Sequence, residues 1–308
     1  MIDIIEAMLD ERSGVQTFSA STLTVEQVLC DNDYFGLTTA TPMQRAVCRI
    51  VDGRPVDDLL PEIMPEIEGY DDLVTSRSSF KYAIGGDCDE AAQLQAIAEL
   101  PRTPPLIFVL LSGIRTAKSL FAAAVAFTRT QTVDVSPAAT GEDARVSVMS
   151  YEKDKADEIY EHIARAIERS PAIAELHVRS HESSRCHYFR HPSGRTVEIM
   201  IVAGKKQGGS TVSRWSASVI FEEAPRMQGS GEGKINLPEQ KKAVIGRLLP
   251  GAQVIETGSP FAPSGEVFRE VKELHGKPSK MAVVMRVPAP VLNHHWWTPD
   301  RVADIKAV

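Results

Sequence analysis

Residues 106–119 read LIFVLLSGIRTAKS, and they carry the clearest structural pattern in the chain. Its first half is a continuous apolar run, which is typical of a strand buried on both faces of a sheet. The polar second half leads into KSLFAAAVAFTR, a predicted helix over residues 118–129. A buried strand that passes through a short loop into a helix is the first unit of an α/β fold with a parallel sheet.

Short apolar runs and amphipathic segments alternate through the rest of the chain. Strands are predicted at residues 145–150, 185–190, 195–203, 216–221, 253–258 and 281–287. Helices are predicted at residues 152–170, 238–249 and 265–274. The second and third of these strands form a predicted hairpin closed at Ser193-Gly194. The alternation predicts an α/β core over residues 101–290, with a mainly parallel central sheet flanked by helices.

The two ends of the chain differ from this core. Residues 1–100 predict an N-terminal helical region, with helices at about 2–12, 24–31, 42–51 and 89–100 separated by breaks that contain Pro and Gly. Residues 291–308 are rich in Pro and His-Trp and are interpreted as a tail or linker.

The composition is that of an ordinary globular chain of 308 residues, with 43% hydrophobic and 24% charged residues. Because the formal net charge is −7, a contact with DNA has to be local rather than spread over the surface. The N-terminus lacks the zones of a signal peptide, and the longest apolar run is too short to span a bilayer. We interpret the cysteines, which show no CxxC pairing, as reduced thiols of a cytosolic protein: Cys30, Cys48, Cys88 and Cys186.

The loop between the first strand and its helix has the context of a phosphate-binding loop. Backbone N–H groups at a helix N-terminus point at phosphates, and the helix dipole favours negative charge there. Lys118 would reach the outer phosphates, and the Ser119 hydroxyl would bind Mg²⁺. The loop departs from the standard pattern, which has Gly where this chain has Ser112 and Ala117. The alternative interpretation is an ordinary strand–turn–helix with a surface lysine.

Two acidic residues follow the apolar run Ser218-Val219-Ile220-Phe221. Ligands of open α/β sheets bind at the carboxyl ends of the strands, where these side chains are expected. Glu222 would hold the Mg²⁺ shell, and Glu223 would orient and activate water for attack on a γ-phosphate. Aspartate is commoner in the first role. The alternative interpretation is a solvated strand end.

Four ordered features resemble the large terminase subunits of tailed bacteriophages, over roughly residues 35–290. The first is Thr41-Pro42-Met43-Gln44-Arg45, similar to the adenine-reading glutamine motif. The second is the loop Ser112-Gly113-Ile114-Arg115-Thr116-Ala117-Lys118-Ser119, with its internal arginine. The third is Glu222-Glu223, preceded by Ser213-Arg214. The fourth is Glu256-Thr257-Gly258-Ser259-Pro260, followed by Ser264-Gly265-Glu266-Val267-Phe268, which looks like a coupling motif.

The resemblance implies a role for each motif. Gln44 would bind the adenine edge, or else be a surface residue at a helix start. Arg115 would contact the γ-phosphate within its own subunit, or else point at solvent. Arg214 would be an arginine finger, acting in its own subunit or on a neighbouring one, or else form a salt bridge near the strand start. Thr257, Gly258 and Ser259 would sense the γ-phosphate, or else only make the turn before Pro260.

The resemblance also implies a fold and partners. The fold would be a P-loop (RecA/ASCE-like) ATPase with Mg²⁺ as cofactor. The partners would be ATP, double-stranded DNA, the portal and procapsid, and the small terminase subunit, in the host cell cytoplasm during phage assembly. We expect a monomer in solution and a ring on the portal. Large terminases carry a nuclease domain after the ATPase part, and no nuclease site is expected here. The alternatives are a helicase-like or other P-loop NTPase, or a nucleotide-binding assembly protein that does not hydrolyse ATP.

Three further groups of residues are given non-catalytic interpretations. The set His181, Cys186, His187 and His191 is interleaved with arginines and predicts a polar sheet face rather than a metal site. The run Asn293-His294-His295-Trp296-Trp297 is expected to pack the tail onto the core. The stretch Gly229–Gly233 and Lys234 predict a mobile loop.

Overall fold

The computed structural model describes residues 21–75, 77–139, 141–203, 214–229 and 235–307. The helix predicted at about 2–12, most of the predicted loop at 229–234 and Ser213 lie outside these residues.

One sheet of eight strands forms the centre of the protein, in the order β3-β4-β5-β2-β6-β7-β1-β8. Strands β5, β2, β6, β7, β1 and β8 run parallel to one another, and β4 runs antiparallel to both of its neighbours. The prediction of a mainly parallel central sheet is therefore confirmed. The strand bounds are β1 Ile107–Ser112, β2 Ala144–Ser150, β3 His177–His181, β4 Cys186–Arg190, β5 Thr196–Ala203, β6 Ser216–Glu222, β7 Val254–Gly258 and β8 Ala282–Val287.

The described helices precede, connect and follow these strands. Before the sheet come α1 Val25–Cys30, α2 Pro42–Val51, α3 Leu60–Ile63, α4 Asp72–Thr75, α5 Phe80–Gly85 and α6 Glu90–Ala98. Between strands lie α7 Lys118–Thr132, α8 Lys153–Arg169, α9 Pro171–Leu176, α10 Leu237–Ile245 and α11 Gly265–Leu274. After β8 come α12 Ala289–Leu292 and α13 Pro299–Lys306.

The directions of the crossovers create a crevice beside the phosphate loop. From β1 the chain crosses through α7 to β2 on one side, and from β7 it crosses through α11 to β8 on the other. Parallel crossovers are right-handed, so α7 and α11 cover opposite faces of the sheet. Strands β1 and β7 are neighbours, and their carboxyl ends therefore form a topological switch point, where α/β sheets bind ligands.

The described part of the N-terminal helical region shares its core with the sheet. Buried apolar residues of α1 and α2 belong to the same hydrophobic cluster as those of β1 and α7. A buried ion pair between Arg129 on α7 and Asp52 after α2 joins the two parts at 2.8 Å. Gln253 also donates to the carbonyl of Val51 at 3.0 Å. The sequence boundaries at residues 100 and 290 stay predictions.

The sheet edge at β3 was not predicted. Its sequence, HVRSH, lacks an apolar alternation, and four of its five residues are exposed. It forms because β4 offers an antiparallel partner, from His177 opposite Phe189 to His181 opposite Cys186. The predicted hairpin at 185–203 is observed, with His191 N–H donating to the Arg195 carbonyl at 2.8 Å and Gly194 at φ +82°.

Candidate functional site

The phosphate loop holds two non-glycine residues in the left-handed region. Arg115 has φ +58° and Ala117 has φ +64°. Such a backbone costs about 1–2 kcal/mol for a residue with a Cβ and persists only when its surroundings hold it. Ala117 immediately precedes α7 and takes the conformation that the standard pattern assigns to Gly. The backbone turn into the helix therefore forms although Ala117 stands where the standard loop sequence has Gly.

Lys118 is buried inside the loop rather than exposed on a surface turn. Only 7% of the residue is exposed. Its Nζ donates to the carbonyls of Ser112 at 3.1 Å and Gly113 at 2.5 Å. Burial lowers the pKa of Lys118, and the nearby charges of Glu223 and Glu222 oppose that shift. The ammonium therefore sits where it could exchange loop carbonyls for the oxygens of a phosphate.

Glu222, the last residue of β6, is buried and held by two hydroxyl groups. Its Oε1 accepts a 2.7 Å hydrogen bond from Ser119 Oγ, and its Oε2 accepts one from Thr257 Oγ1. Burial raises the pKa of Glu222, against the opposing effect of these two hydrogen bonds. The strand end is thus enclosed, unlike the solvated strand end of the alternative interpretation.

Glu223 lies just outside β6, in a left-handed turn at φ +57°. Its Oε2 accepts a 3.3 Å hydrogen bond from the backbone N–H of Ser259 and lies 3.6 Å from Arg226 Nε. Its side chain is 16% exposed, so the carboxylate is more open to solvent than that of Glu222. A carboxylate in this position can accept a proton from a water molecule in the crevice.

The predicted coupling residues lie at the end of β7, between the other two motifs: Thr257 and Gly258 are its last two residues, and Ser259 follows it. Strand β7 pairs with β1 on one side and β6 on the other, which places Thr257 opposite both Leu110 and Glu222. A Cβ at Gly258 would lie 2.4 Å from Pro225 Cδ and 3.3 Å from Glu223 Cα, so only glycine allows this close approach. The structure therefore brings together the ends of three strands that the sequence separates widely.

Gln44 is buried beside the loop instead of exposed at a helix start. Its Oε1 accepts from Thr41 N–H at 2.9 Å, which forms a capping box with Thr41 at the start of α2. Its Nε2 donates to the carbonyl of Thr116 at 3.2 Å. Gln44 thus contacts the phosphate loop itself, and its contact with adenine stays a prediction.

Arg115 is exposed at the surface, as in the alternative interpretation, and its guanidinium has an aromatic neighbour. Its guanidinium carbon lies 5.5 Å from the ring centre of Trp296, in a cation–π contact. Contact of Arg115 with a γ-phosphate stays a prediction.

Arg214 lies at the opposite end of the sheet from the phosphate loop. It precedes β6 and pairs with Glu198 at 3.3 Å and Asp143 at 3.8 Å. The seven residues of β6 separate it from Glu223, which at strand geometry is about 23 Å. Arg214 therefore does not reach the crevice of its own chain, and the salt bridge of the alternative interpretation is observed. Its action on a neighbouring subunit stays a prediction.

The histidine–cysteine group lies partly under α8 rather than on an open polar face. His187 is buried, stacks on Tyr160 at 4.2 Å and bonds Ser180 Oγ through Nδ1 at 2.8 Å. Burial lowers the pKa of His187 to about 4, so the ring is neutral near pH 7. Cys186 and His191 are buried as well, and the expectation of a polar face is wrong for these residues. Within the described ranges, no group of three or more His, Cys, Asp or Glu side chains could hold a metal.

Two sets of contacts beside the site were not predicted from the sequence. Lys241 on α10 forms buried ion pairs with Glu256 on β7 and Glu270 on α11. Asn293 and Trp297, near the C-terminus, donate to carbonyls of the phosphate loop. Each contact joins residues that are distant in sequence, so no local sequence pattern predicts it.

The fold and the crevice define an α/β protein with a mainly parallel sheet of eight strands. Strand β7 lies between β1, which leads into the predicted phosphate loop, and β6, which ends at Glu222. Among the described residues, no helix is both long and apolar enough to cross a membrane.

The chain is similar to solved structures of phage large terminases. It is 12% identical to the HK97 bacteriophage large terminase, with a TM-score of 0.47, over 65% of this chain and 39% of that one. It is 15% identical to the ATPase domain of the Thermus phage P74-26 large terminase, with a TM-score of 0.41, over 73% of this chain and 92% of that one. At these identities the likeness concerns the fold alone. No protein-family profile matches the sequence, and no curated protein matches it.

Proposed function

We propose that this chain is the ATP-hydrolysing motor domain of a phage large terminase, which drives double-stranded DNA into a procapsid. The observation that carries the proposal is the pair of hydrogen bonds from Ser119 and Thr257 to the buried Glu222 carboxylate. The predicted phosphate loop, the acidic strand end and the predicted sensing strand meet there, which supports nucleotide hydrolysis.

The loop would bind the phosphates of ATP. N–H groups at the start of α7 and the dipole of this 15-residue helix favour an anion at the loop. The Lys118 ammonium would turn from the carbonyls of Ser112 and Gly113 to the outer phosphate oxygens. Its hydrogen bonds to those oxygens would become stronger as the phosphoryl group gains charge during the reaction.

The donor set beside the loop fits Mg²⁺. The Ser119 hydroxyl and the Glu222 carboxylate supply hard oxygen ligands, and Mg²⁺ usually takes only one or two protein ligands besides phosphate and water. When bound, the ion neutralises charge on the β- and γ-phosphates. Burial raises the pKa of Glu222 because an isolated charge is costly there, and a bound cation would offset that cost for the carboxylate form.

Glu223 would position the attacking water and take its proton. The Ser259 N–H and Arg226 orient its carboxylate from one side, which leaves the other oxygen for water. Loss of the γ-phosphate would change the surroundings of Thr257 and Ser259, because Thr257 donates a hydrogen bond to Glu222 and Ser259 donates one to Glu223.

The proposed partners are DNA, the portal and procapsid, the small terminase subunit and other copies of the chain, in the host cell cytoplasm during phage assembly. A net charge of −7 requires the DNA contact to be a local patch, and we propose a monomer in solution that forms a ring on the portal.

The second candidate is a nucleotide-binding assembly protein without hydrolysis. It is favoured by Ala117 and Glu222, which replace the residues usual at their positions. Phosphate release from Mg·ATP, measured with and without double-stranded DNA and portal, separates the two. The motor proposal predicts slow release that rises with these partners. ATP binding without release under every condition would contradict it and favour the second candidate.

A further inference from the structure

Each carbonyl of loop residues 113–116 accepts a hydrogen bond from a side chain. Lys118 Nζ and Thr116 Oγ1 donate to Gly113 at 2.5 and 2.9 Å. The other three donors come from outside the loop. Trp297 Nε1 donates to Ile114 O at 3.0 Å, Asn293 Nδ2 to Arg115 O at 2.8 Å and Gln44 Nε2 to Thr116 O at 3.2 Å.

These contacts fix the direction of the loop's N–H groups. A trans peptide is planar, so a held carbonyl sets the N–H of the next residue on the opposite side. Trp297 thereby orients the N–H of Arg115, and Asn293 orients that of Thr116. Successive N–H groups held to one side of a turn form a concave anion-binding nest.

The loop needs such outside support because its own sequence does not favour the turn. Arg115 and Ala117 both have positive φ without being glycine. The peptide carbonyls on either side of Arg115 are those of Ile114 and Arg115, which are the two that the C-terminal segment holds.

The C-terminal segment is itself anchored to the core. The carbonyl of Leu292 accepts a 2.9 Å hydrogen bond from Thr41 Oγ1, and the carbonyl of Trp297 accepts one from the hydroxyl of Tyr70. Trp296 lies between two arginines, with Arg301 4.1 Å from its ring centre. A Cβ at Gly113 would lie 2.9 Å from the Cβ of Ala289, so the segment packs directly on the loop.

We propose that Asn293 and Trp297 are positioning residues, which hold the loop backbone ready for the phosphate chain of a nucleoside triphosphate. The proposal rests on the proposed nucleotide-binding function of the loop. It goes beyond the expected packing of the tail onto the core, since it assigns two donors to two carbonyls of the binding loop.

The test compares Trp297→Phe with Trp215→Phe in the full chain. Each variant keeps an aromatic ring and loses one indole N–H, because Trp215 donates to Glu142 at 2.9 Å beside the start of β6. Mg·ATP affinity is measured by calorimetry, and folding by thermal unfolding. Loss of one oriented hydrogen bond predicts that Trp297→Phe weakens Mg·ATP binding about five- to tenfold, whereas Trp215→Phe binds like the wild type.

Steady-state kinetics adds a readout that a purely structural role would not move. Oriented N–H groups bind phosphate in the ground state and the transition state alike, so KM for ATP rises by the same factor while kcat stays within about twofold. Asn293→Ala is measured in parallel and carries the test if Trp297→Phe does not fold.

The outcomes separate this proposal from the proposed function. If the wild type binds Mg·ATP and Lys118→Ala does not, but Trp297→Phe and Asn293→Ala bind like the wild type, the positioning role is overturned and the function stands. If the wild type itself binds no Mg·ATP, both are overturned.

Discussion

The hydroxyl of Ser119 donates a 2.7 Å hydrogen bond to Oε1 of Glu222, across 103 residues of chain. The second oxygen of the same carboxylate accepts a hydrogen bond from Thr257, on the neighbouring strand β7. Both oxygens of this fully buried acid therefore accept a hydrogen bond from a hydroxyl group, which offsets part of the cost of burial. Ser119 and Glu222, the proposed metal ligands, lie within hydrogen-bond distance of each other.

The two adjacent acids are expected to respond differently to loss of charge. Glu223→Gln should keep Mg·ATP binding and lose hydrolysis by about 10²-fold or more, because an amide cannot take the proton of water. Glu222→Gln should instead raise the Mg²⁺ concentration needed for half-maximal binding. Titrations of ATP and Mg²⁺ with each variant check this. The assignment is wrong if ATP affinity collapses in the Glu223 variant while the Glu222 variant behaves like the wild type.

The distance of Arg214 from its own crevice predicts that any catalytic role is exerted on a neighbour. Arg214→Ala and Glu223→Gln should each be inactive under assembled conditions, and their mixture should recover part of the activity. An arginine acts only where charge develops on the transferring phosphoryl group, and in the mixture some intact arginines face intact Glu223 sites. ATPase assays on mixtures of varied ratio measure this. A mixture as inactive as its components would leave Arg214 as a salt-bridge residue only.

The buried group of Lys241, Glu256 and Glu270 predicts a large effect on stability. Lys241→Met would leave two buried carboxyl groups without their cation, and removal of one partner of a buried ion pair costs about 3–5 kcal/mol. Urea unfolding measures the loss. Lys242→Met is the matched control, because the neighbouring Lys242 is exposed. Equal stabilities of the two variants would show that the buried pairs contribute nothing net.

The same group predicts a pH dependence of stability. Burial, together with the charge of Glu256, raises the pKa of Glu270 from the ordinary 4.5 to about 8. The folded state then binds more protons than the unfolded state between these values, so the stabilisation is present below about pH 4.5 and is lost as the pH rises to about 8.

Unfolding by urea at a series of pH values from 5 to 8 measures this loss, whose slope approaches about 1.4 kcal/mol per pH unit for one proton. Glu270→Gln mimics the protonated carboxyl, so the free energy of unfolding of this variant should vary less than that of the wild type between pH 5 and 8. A slope in the variant as steep as in the wild type would place the titrating group elsewhere.

The strands and helices that make the crevice could be predicted because their signals are local. Apolar runs identified β1 and β6, the short segment QVIETG identified β7, and α2 and α11 begin and end at the predicted residues. The meeting of Ser119, Glu222 and Thr257 followed from the rule that ligands bind at the carboxyl ends of parallel strands. That rule needs only the order of the elements.

The contacts that could not be predicted depend on tertiary packing. Glu270 is one of several charged residues on an amphipathic helix, and only the packing of α10 against α11 buries it beside Lys241. Trp297 donates to a loop 183 residues away. The short helices α3, α4, α9 and α12 have four to six residues, too few to produce a helical period.

The central claim is that residues 112–119 bind the phosphates of ATP through Lys118. The direct measurement is phosphate release from Mg·ATP by the wild type, Lys118→Ala and Lys153→Ala, with folding checked by thermal unfolding. Lys153 is a suitable control because its side chain is 71% exposed at the start of α8. We expect release to fall about 10²-fold or more in Lys118→Ala, since the outer phosphates lose their charged donor, and to be unchanged in Lys153→Ala. A folded Lys118→Ala protein that releases phosphate at the wild-type rate would show that Lys118 does not bind the phosphates of ATP.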